Sequence, residues 1–350
     1  MADGAGVASP GVRLEDLDYD LRPERIAQLP IEPRDAARLL VDRGSAPPEH
    51  RRVADLPDLL RPGDLVVVND TRVLPARLRL RRATGGTTEV LLLEPVDDAP
   101  GGRRWEALAR PARKLRAGEH LSTATGEVVV AVVGRAPAGD TFHIDLLGDE
   151  NPARLVERIG EMPLPPYITT TLDRPDRSNT IYATRPGSAA APTAGLHLTP
   201  AVLDRLAARG IDVARVELVV GLDTFQPVSE PDPLRHRMHS ERYRVPASTW
   251  DACRGAPRVV AIGTTTVRAR ESVAASSRLE GRTELFLHAG VPLQVVDVLM
   301  TNFHLPRTTL LMMVDAFVGP RWRALYATAL TEGYRFLSFG DAMLLDRHAT

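Results

Sequence analysis

A chain of 350 residues with 25% charged and 43% hydrophobic residues has the composition of a folded globular protein and the length for two domains. A net charge of −1 excludes chain-wide attraction to nucleic acid, no apolar run reaches the roughly 20 residues of a membrane span, and the lone Cys253 excludes an internal disulfide or a cysteine metal cluster. The first ten residues carry neither a basic nor an apolar leader pattern, so no secretory signal is expected and the cytoplasm is the expected location.

In chain order, residues 1–12 read as a disordered tail of small residues. Pro23 stands where a first helical turn would start, and Leu39-Leu-Val suits a strand before Gly44 and Pro47-Pro48. Asp55 to Leu60 suits a short helix. Leu65-Val-Val-Val reads as a buried strand that ends in Asn69-Asp70-Thr71-Arg72, a place where α/β proteins hold ligands but where a capped turn is equally compatible. From 72 to 150 the texture changes to short β-rich runs (76–80, 89–94, 104–109, 127–133, 141–147) between glycine turns, which predicts five or six strands closed as a small barrel. The domain reading is a mixed α/β main domain, 13–71 plus 151–350, interrupted by an inserted β-barrel, 72–150.

Beyond the barrel, Asn151 to Gly160 suits an amphipathic helix, and Met162-Pro-Leu-Pro-Pro-Tyr-Ile makes a stiff extended segment that displays Tyr167. Gly187 to Pro200 is rich in small residues punctuated by Thr193, His197 and Thr199; it suits a loop that lets backbone approach a ligand, or a tight crossover with a packed histidine. Thr199 and Pro200 predict the N-cap and first turn of a helix to Arg209, and Ile211 to Val220 a strand. His236, His239 and Glu241 are a weak metal pattern, more often structural. Val259-Val-Ala-Ile-Gly predicts a strand running into Thr264-Thr-Thr and a helix bearing Arg268 and Glu271, an anion or ribose site or else a plain cap. Further strands are expected at 285–287 and 294–299, then Asn302 and His304 before a helix, 310–318.

Cations are clustered. Arg72, Arg77, Arg79, Arg81 and Arg82 occupy a stretch free of acids, and Arg103, Arg104, Arg110, Arg113, Lys114 and Arg116 crowd a second; Lys114 is the sole lysine. Guanidinium is the better bidentate partner for phosphate, although arginine bias can also follow genome composition. No P-loop and no strand–GxGxxG–helix unit is present.

Taken together, Asp18-Tyr-Asp-Leu, Val68-Asn-Asp-Thr-Arg-Val-Leu-Pro-Ala-Arg-Leu, Met162-Pro-Leu-Pro-Pro-Tyr-Ile, Ala191-Pro-Thr-Ala-Gly-Leu-His, Met238-His-Ser-Glu, Gly263-Thr-Thr, Thr301-Asn-Phe-His-Leu-Pro and Gly340-Asp-Ala-Met resemble, in order and over about residues 13–346, the S-adenosylmethionine:tRNA ribosyltransferase-isomerase family of queuosine biosynthesis. The resemblance implies transfer and isomerisation of the ribosyl part of S-adenosylmethionine onto 7-aminomethyl-7-deazaguanine in the tRNA anticodon loop, giving epoxyqueuosine with release of adenine and methionine. The donor is then a consumed co-substrate, with no further cofactor, no metal and no membrane. His197, Glu241, His304 and Asp70 are the residues expected to do acid/base work or orient substrate. Asn69, Arg72, Tyr167, Thr193, Gly195, His239, Thr264, Thr265, Arg268 and Asn302 are the expected substrate contacts, and Arg79, Arg81, Arg82, Arg113, Lys114 and Arg116 the expected RNA contacts.

The chain departs from the family pattern at Ser178-Asn179 (usually Tyr-Gln), Val219 (His), Asp223 (Gly), Asp315 (Ser) and Phe339 (Tyr). These departures leave open a paralogue that uses a small 7-deazapurine or no acceptor, or an inactive RNA-binding module.

Overall fold

The computed structural model describes residues 13–349, apart from 97, 98, 138, 140, 171, 173, 189, 222–227, 229 and 231. The expected tail, 1–12, and Asp223 lie outside the described residues. Short 3-10 turns, including Pro23–Arg25, lead into the hairpin β1 (Arg38–Arg43) and β2 (Ala46–Arg52), then α1 (Leu56–Leu59), β3 (Leu65–Asn69) and β4 (Thr71–Val73). Six strands follow: β5 (Arg77–Arg82), β6 (Thr87–Pro95), β7 (Arg104–Arg110), β8 (His120–Ser122), β9 (Val128–Arg135) and β10 (Phe142–Leu146). The return runs through α2 (Pro152–Ile159), β11 (Gly160–Glu161), β12 (Arg185–Ser188), α3 (Pro200–Ala208), β13 (Asp212–Leu218), β14 (Glu241–Arg244), α4 (Ala247–Gly255), β15 (Val259–Ile262), α5 (Thr264–Ser276), β16 (Glu280–Thr283), β17 (Val298–Asn302), α6 (Thr309–Val318), α7 (Arg321–Thr331) and β18 (Ala342–Asp346).

The main sheet has the order β16-β14-β13-β3-β15-β17-β18-β1-β2. Its centre, β13-β3-β15-β17, is parallel, and β18 runs antiparallel to β17 and parallel to β1. Parallel strands are covered on both faces, so β15 is apolar throughout, β3 and β17 are apolar up to their polar carboxyl ends, and all three are buried along their length. Alternation sorts them: Val66, Val68, Val260, Ile262, Val298 and Met300 face a core closed by α3, whereas Ala261 and Leu299 join the opposite core with α6 and α7. Thr199 caps α3 by accepting from the Val202 amide at 3.3 Å, as the Thr-Pro signature predicts.

The inserted strands close on themselves, β5-β6-β7-β10-β9-β8 and back to β5, as a six-stranded antiparallel barrel. Its core takes alternate residues such as Leu78, Leu80, Val90 and Leu92, and Leu155 and Val156 of α2 pack into it. The mixed α/β architecture with an inserted closed barrel agrees with the sequence reading.

Two expected strands are corrected. Residues 285–287 form no strand, and β17 begins at Val298 rather than 294. The Glu271 carboxylate accepts from the amides of Gln294 and Val295, at 2.8 and 3.0 Å, so a side chain supplies what a neighbouring strand would have done. Leu287 and Val296 are apolar because they are buried against α6, not because they belong to a ladder.

Candidate active site

The parallel strands deliver their carboxyl ends to one edge of the sheet, where a cleft of about 580 Å³, counted out to its open mouth, is lined from three loops. After β15 come the N-cap Gly263 and the first turn of α5 with Thr264 and Thr265; Asn302 ends β17 and His304 follows it; the 3-10 turn Thr193–His197 crosses between them. Gly263 has φ +88°, which a side chain would strain, and this kink aims the α5 amino terminus at the cleft. Tyr167, Ser338 and Leu337 complete the wall; Leu337 holds φ +69°, an uncommon conformation for a leucine, with its amide donating to the Phe303 carbonyl at 3.1 Å.

A continuous hydrogen-bond chain crosses the cleft floor. The Thr193 hydroxyl donates to Asn302 Oδ1 at 2.9 Å, and Asn302 Nδ2 donates to His197 Nε2 at 3.1 Å and to the Asp341 carbonyl at 3.2 Å. An amide N–H cannot accept, so His197 Nε2 carries the lone pair and Nδ1 the proton. Burial drives the His197 pKa down to about 4, against the pull of a hydrogen bond to the Arg34 backbone, with the guanidiniums of Arg335 and Arg34 adding to the fall. His304, on the cleft wall, sits with Nε2 3.0 Å from Thr301 Oγ1 and is pushed down to about 3 by burial. Its backbone is fixed by Tyr19, which donates to its carbonyl, and by the Tyr326 hydroxyl, which accepts from its amide at 3.0 Å. Both imidazoles are therefore neutral near pH 7. The Tyr167 hydroxyl lies 2.7 Å from Ser338 Oγ, and burial raises it to about 12. Thr265 Oγ1 is buried in the wall with no hydrogen-bond partner among the described residues.

Thr193, Thr264, Thr265, Asn302, His304 and Tyr167 thus line one cleft, and His197 stands behind Asn302. Other expected site residues lie elsewhere. Glu241 and Arg268 form an ion pair between β14 and α5, with side chains only 6% and 4% exposed, and neither lines the cleft. The Gly221 amide also donates to Glu241, at 3.3 Å. Asn69 is structural: its Oδ1 accepts from the amides of Thr71 and Leu218, both at 3.2 Å, and its Nδ2 donates to the Leu218 carbonyl at 3.0 Å, tying β3 to β13. Asp70 accepts from the Thr184 hydroxyl at 3.1 Å, has Arg185 at 3.7 Å, and borders a separate groove along β13. Arg72 points outward from β4 and His239 is exposed. Gly195 packs against Tyr182 rather than lining the cleft.

On the barrel, Arg79 pairs with Glu161 at 2.9 Å and Arg82 with Glu119 at 2.7 Å, whereas Arg81, Arg113, Lys114 and Arg116 are exposed. Two of the departures have structural uses. Asn179 Oδ1 accepts from the Val73 amide at 2.8 Å where the chain enters the barrel, and Phe339 is buried with Ala27, Ile168 and Leu196. Residue-type reasoning overlooked Thr301, Ser338 and Leu337; the one signal for them is their place beside Asn302 and Phe339.

A cleft at the carboxyl ends of parallel strands, walled by hydroxyls, an amide and a neutral imidazole, is the place where α/β enzymes bind small organic ligands. The family described as queuosine biosynthesis protein matches residues 14–345, and the chain belongs to it. It is 50% identical over 349 residues to the S-adenosylmethionine:tRNA ribosyltransferase-isomerase of Symbiobacterium thermophilum, covering 95% of this chain and 100% of that one. The protein of the same description from Moorella thermoacetica is 48% identical, with 95% and 100% covered. The crystal structure of S-adenosylmethionine tRNA ribosyltransferase from Thermotoga maritima aligns with TM-score 0.52 at 35% identity, covering 94% of this chain and 99% of that one.

Proposed function

We propose that this chain is an S-adenosylmethionine:tRNA ribosyltransferase-isomerase, which moves the ribosyl part of the donor onto the aminomethyl group of 7-aminomethyl-7-deazaguanine in tRNA and releases adenine and methionine. The observation that carries the reading is the Thr193–Asn302–His197 chain across a cleft whose opposite wall holds His304, in a protein of this family.

The reaction needs a proton removed from the carbon beside the sulfonium, whose positive charge acidifies it, and a proton delivered to departing adenine. His304 lines the cleft itself, which makes it the candidate base, although the burial that keeps its ring neutral also weakens it as a proton acceptor. His197, with Nε2 occupied by Asn302, fits a positioning role instead. The α5 amino terminus, with Thr264 and the unpartnered Thr265 hydroxyl, suits the carboxylate of the methionine moiety. Tyr167 and Ser338 offer hydroxyl donors to the leaving base. Glu241 and Arg268 then support the β14–α5 wall rather than the chemistry. The donor is spent in the reaction, so no separate cofactor enters this scheme.

The test is adenine release, followed by chromatography, from S-adenosylmethionine with either tRNA bearing the aminomethyl-deazaguanine or the free base. Release with the tRNA alone is expected. Release with the free base, or with no acceptor, overturns the tRNA assignment.

A further inference from the structure

The two ends of the barrel differ in chemistry. At the near end, Arg77 and Leu78 of β5 pair with Glu161 and Gly160, and Arg77 donates to the Leu164 carbonyl at 3.2 Å, next to the segment that brings Tyr167 to the cleft. From Arg77, β5 runs five residues to Arg82, about 17 Å at ~3.3 Å per residue, so Arg81 and Arg82 mark the far end. There the segment 111–119 folds onto the strand end. Arg82 donates to the Lys114 carbonyl and pairs with both oxygens of Glu119, which also accepts from the Arg116 amide at 3.2 Å. Glu119 is the one acid in that segment, and the pair it forms with Arg82 is almost enclosed, at 11% and 12% side-chain exposure. Its charge is thus cancelled internally. What the corner presents to solvent is cationic: Arg81, Arg113, Lys114 and Arg116, beside an uncharged turn at Gly85 and Gly86.

We propose that this far corner of the barrel binds the phosphate backbone of the RNA helix contiguous with the base held in the cleft. The proposal rests on the tRNA reading above and adds a second contact point to it. Four neighbouring cations repel one another unless an anion sits among them, and closely spaced phosphates are the anion that satisfies several guanidiniums together. A free deazapurine in the cleft cannot also reach a corner that lies beyond the length of β5. An RNA stem can, so the barrel supplies affinity for the nucleic acid while the main sheet supplies the chemistry.

Lys114 makes a direct test possible, because it is the sole lysine and amine acylation there is read without competition from other lysines. With acetic anhydride as probe and peptide mass spectrometry as readout, tRNA is expected to slow Lys114 acetylation at least fivefold, while S-adenosylmethionine or the free deazaguanine leaves it unchanged. The triple variant Arg113→Ala, Lys114→Ala, Arg116→Ala is expected to keep the donor Kd, to raise the tRNA Kd about tenfold or more, and to flatten the log–log salt slope by roughly 2, at about 0.7–0.9 for each phosphate left without its cation. Bound tRNA with Lys114 unprotected and the triple variant unaltered overturns the proposal and leaves the tRNA reading standing. Wild-type protein that binds the donor but no tRNA removes both. Equal protection by polyglutamate overturns the RNA assignment in favour of an acidic protein partner.

Discussion

Asn302 donates its side-chain amide to Nε2 of His197 across 3.1 Å, and that direction decides what the histidine can do. The lone pair is spoken for, and burial holds the ring neutral, with a pKa of about 4. The same asparagine accepts from Thr193 and donates to the Asp341 carbonyl, so one side chain joins the 3-10 turn, the end of β17 and the approach to β18. His197 thereby sets the orientation of Asn302 in the cleft wall.

Asn302→Asp keeps the shape but removes the donor. A carboxylate still accepts from Thr193 yet confronts the His197 lone pair, and relief comes when the ring takes up a proton. The expected outcome is loss of adenine release on the order of 10²-fold at pH 8, as for removal of a fixed donor, partly recovered toward pH 6. The imidazole signal in NMR should titrate well above its wild-type position. A rate within twofold of wild type with an unchanged pH profile would show that the chain is decorative.

The two buried histidines also predict acid sensitivity. Above about pH 6.5 both rings are neutral folded or unfolded and contribute no pH dependence. Between about 6.5 and 4 the unfolded chain takes up protons that the folded chain refuses, so stability falls as the pH falls, by on the order of a few kcal/mol per ring. Urea unfolding from pH 7.5 to 4.5 checks it: His197→Gln and His304→Gln should each reduce the slope.

Glu241 and Arg268 form an ion pair that is almost fully enclosed, with side chains 6% and 4% exposed. Removing one partner strands a charge in the protein, and Glu241→Gln is expected to cost about 3–5 kcal/mol. The double variant Glu241→Gln, Arg268→Met should be more stable than Glu241→Gln alone, because the guanidinium no longer needs a counter-charge. Thermal unfolding of the two variants measures this, and a double variant less stable than the single one contradicts the argument.

Much of this fold is written in local pattern. The barrel strands alternate between glycine turns, and Thr199-Pro200 announces α3, because period and capping are short-range signals. β2 was hidden by Pro47-Pro48, which read as a boundary but are tolerated because this is the edge strand of the main sheet. At the site, Thr264, Asn302 and His304 were legible because each follows a buried strand. The pairing of Glu241 with Arg268 was not, since it depends on β14 packing beside α5, and neither was the outward turn of Arg72, which follows from the register of β4 with β12.

Asp315 is half-buried on α6, where burial raises its carboxyl pKa from the ordinary value against the pull of Trp322 and the charge of Arg323, with Asp16 adding to the rise. The folded state therefore holds this proton better than the unfolded one, and stability is lost as pH rises through the carboxylate range. Asp315→Asn is expected to raise Tm at pH 7.5 and to give no gain at pH 3.5, where both states are protonated.

Gly195 is where the site depends most sharply on the lack of a side chain. A Cβ built there would lie 2.0 Å from the Tyr182 hydroxyl and 3.1 Å from Thr180 Cγ2, and Tyr182 is buried in the core beneath α3 and cannot swing aside. Gly195→Ala must therefore push the 3-10 turn Thr193–His197 off its seat, and both ends of the Asn302 chain ride on that turn. The expected result is a fall in adenine release larger than the fall in stability, since the displacement is small for the core and large for a hydrogen bond. Tyr182→Phe removes the oxygen that the new methyl meets, so Gly195→Ala, Tyr182→Phe should recover part of the lost activity. Parallel measurement of kcat and Tm on the single and double variants checks it: absence of recovery in the double variant would mean that the turn fails for a reason other than this contact.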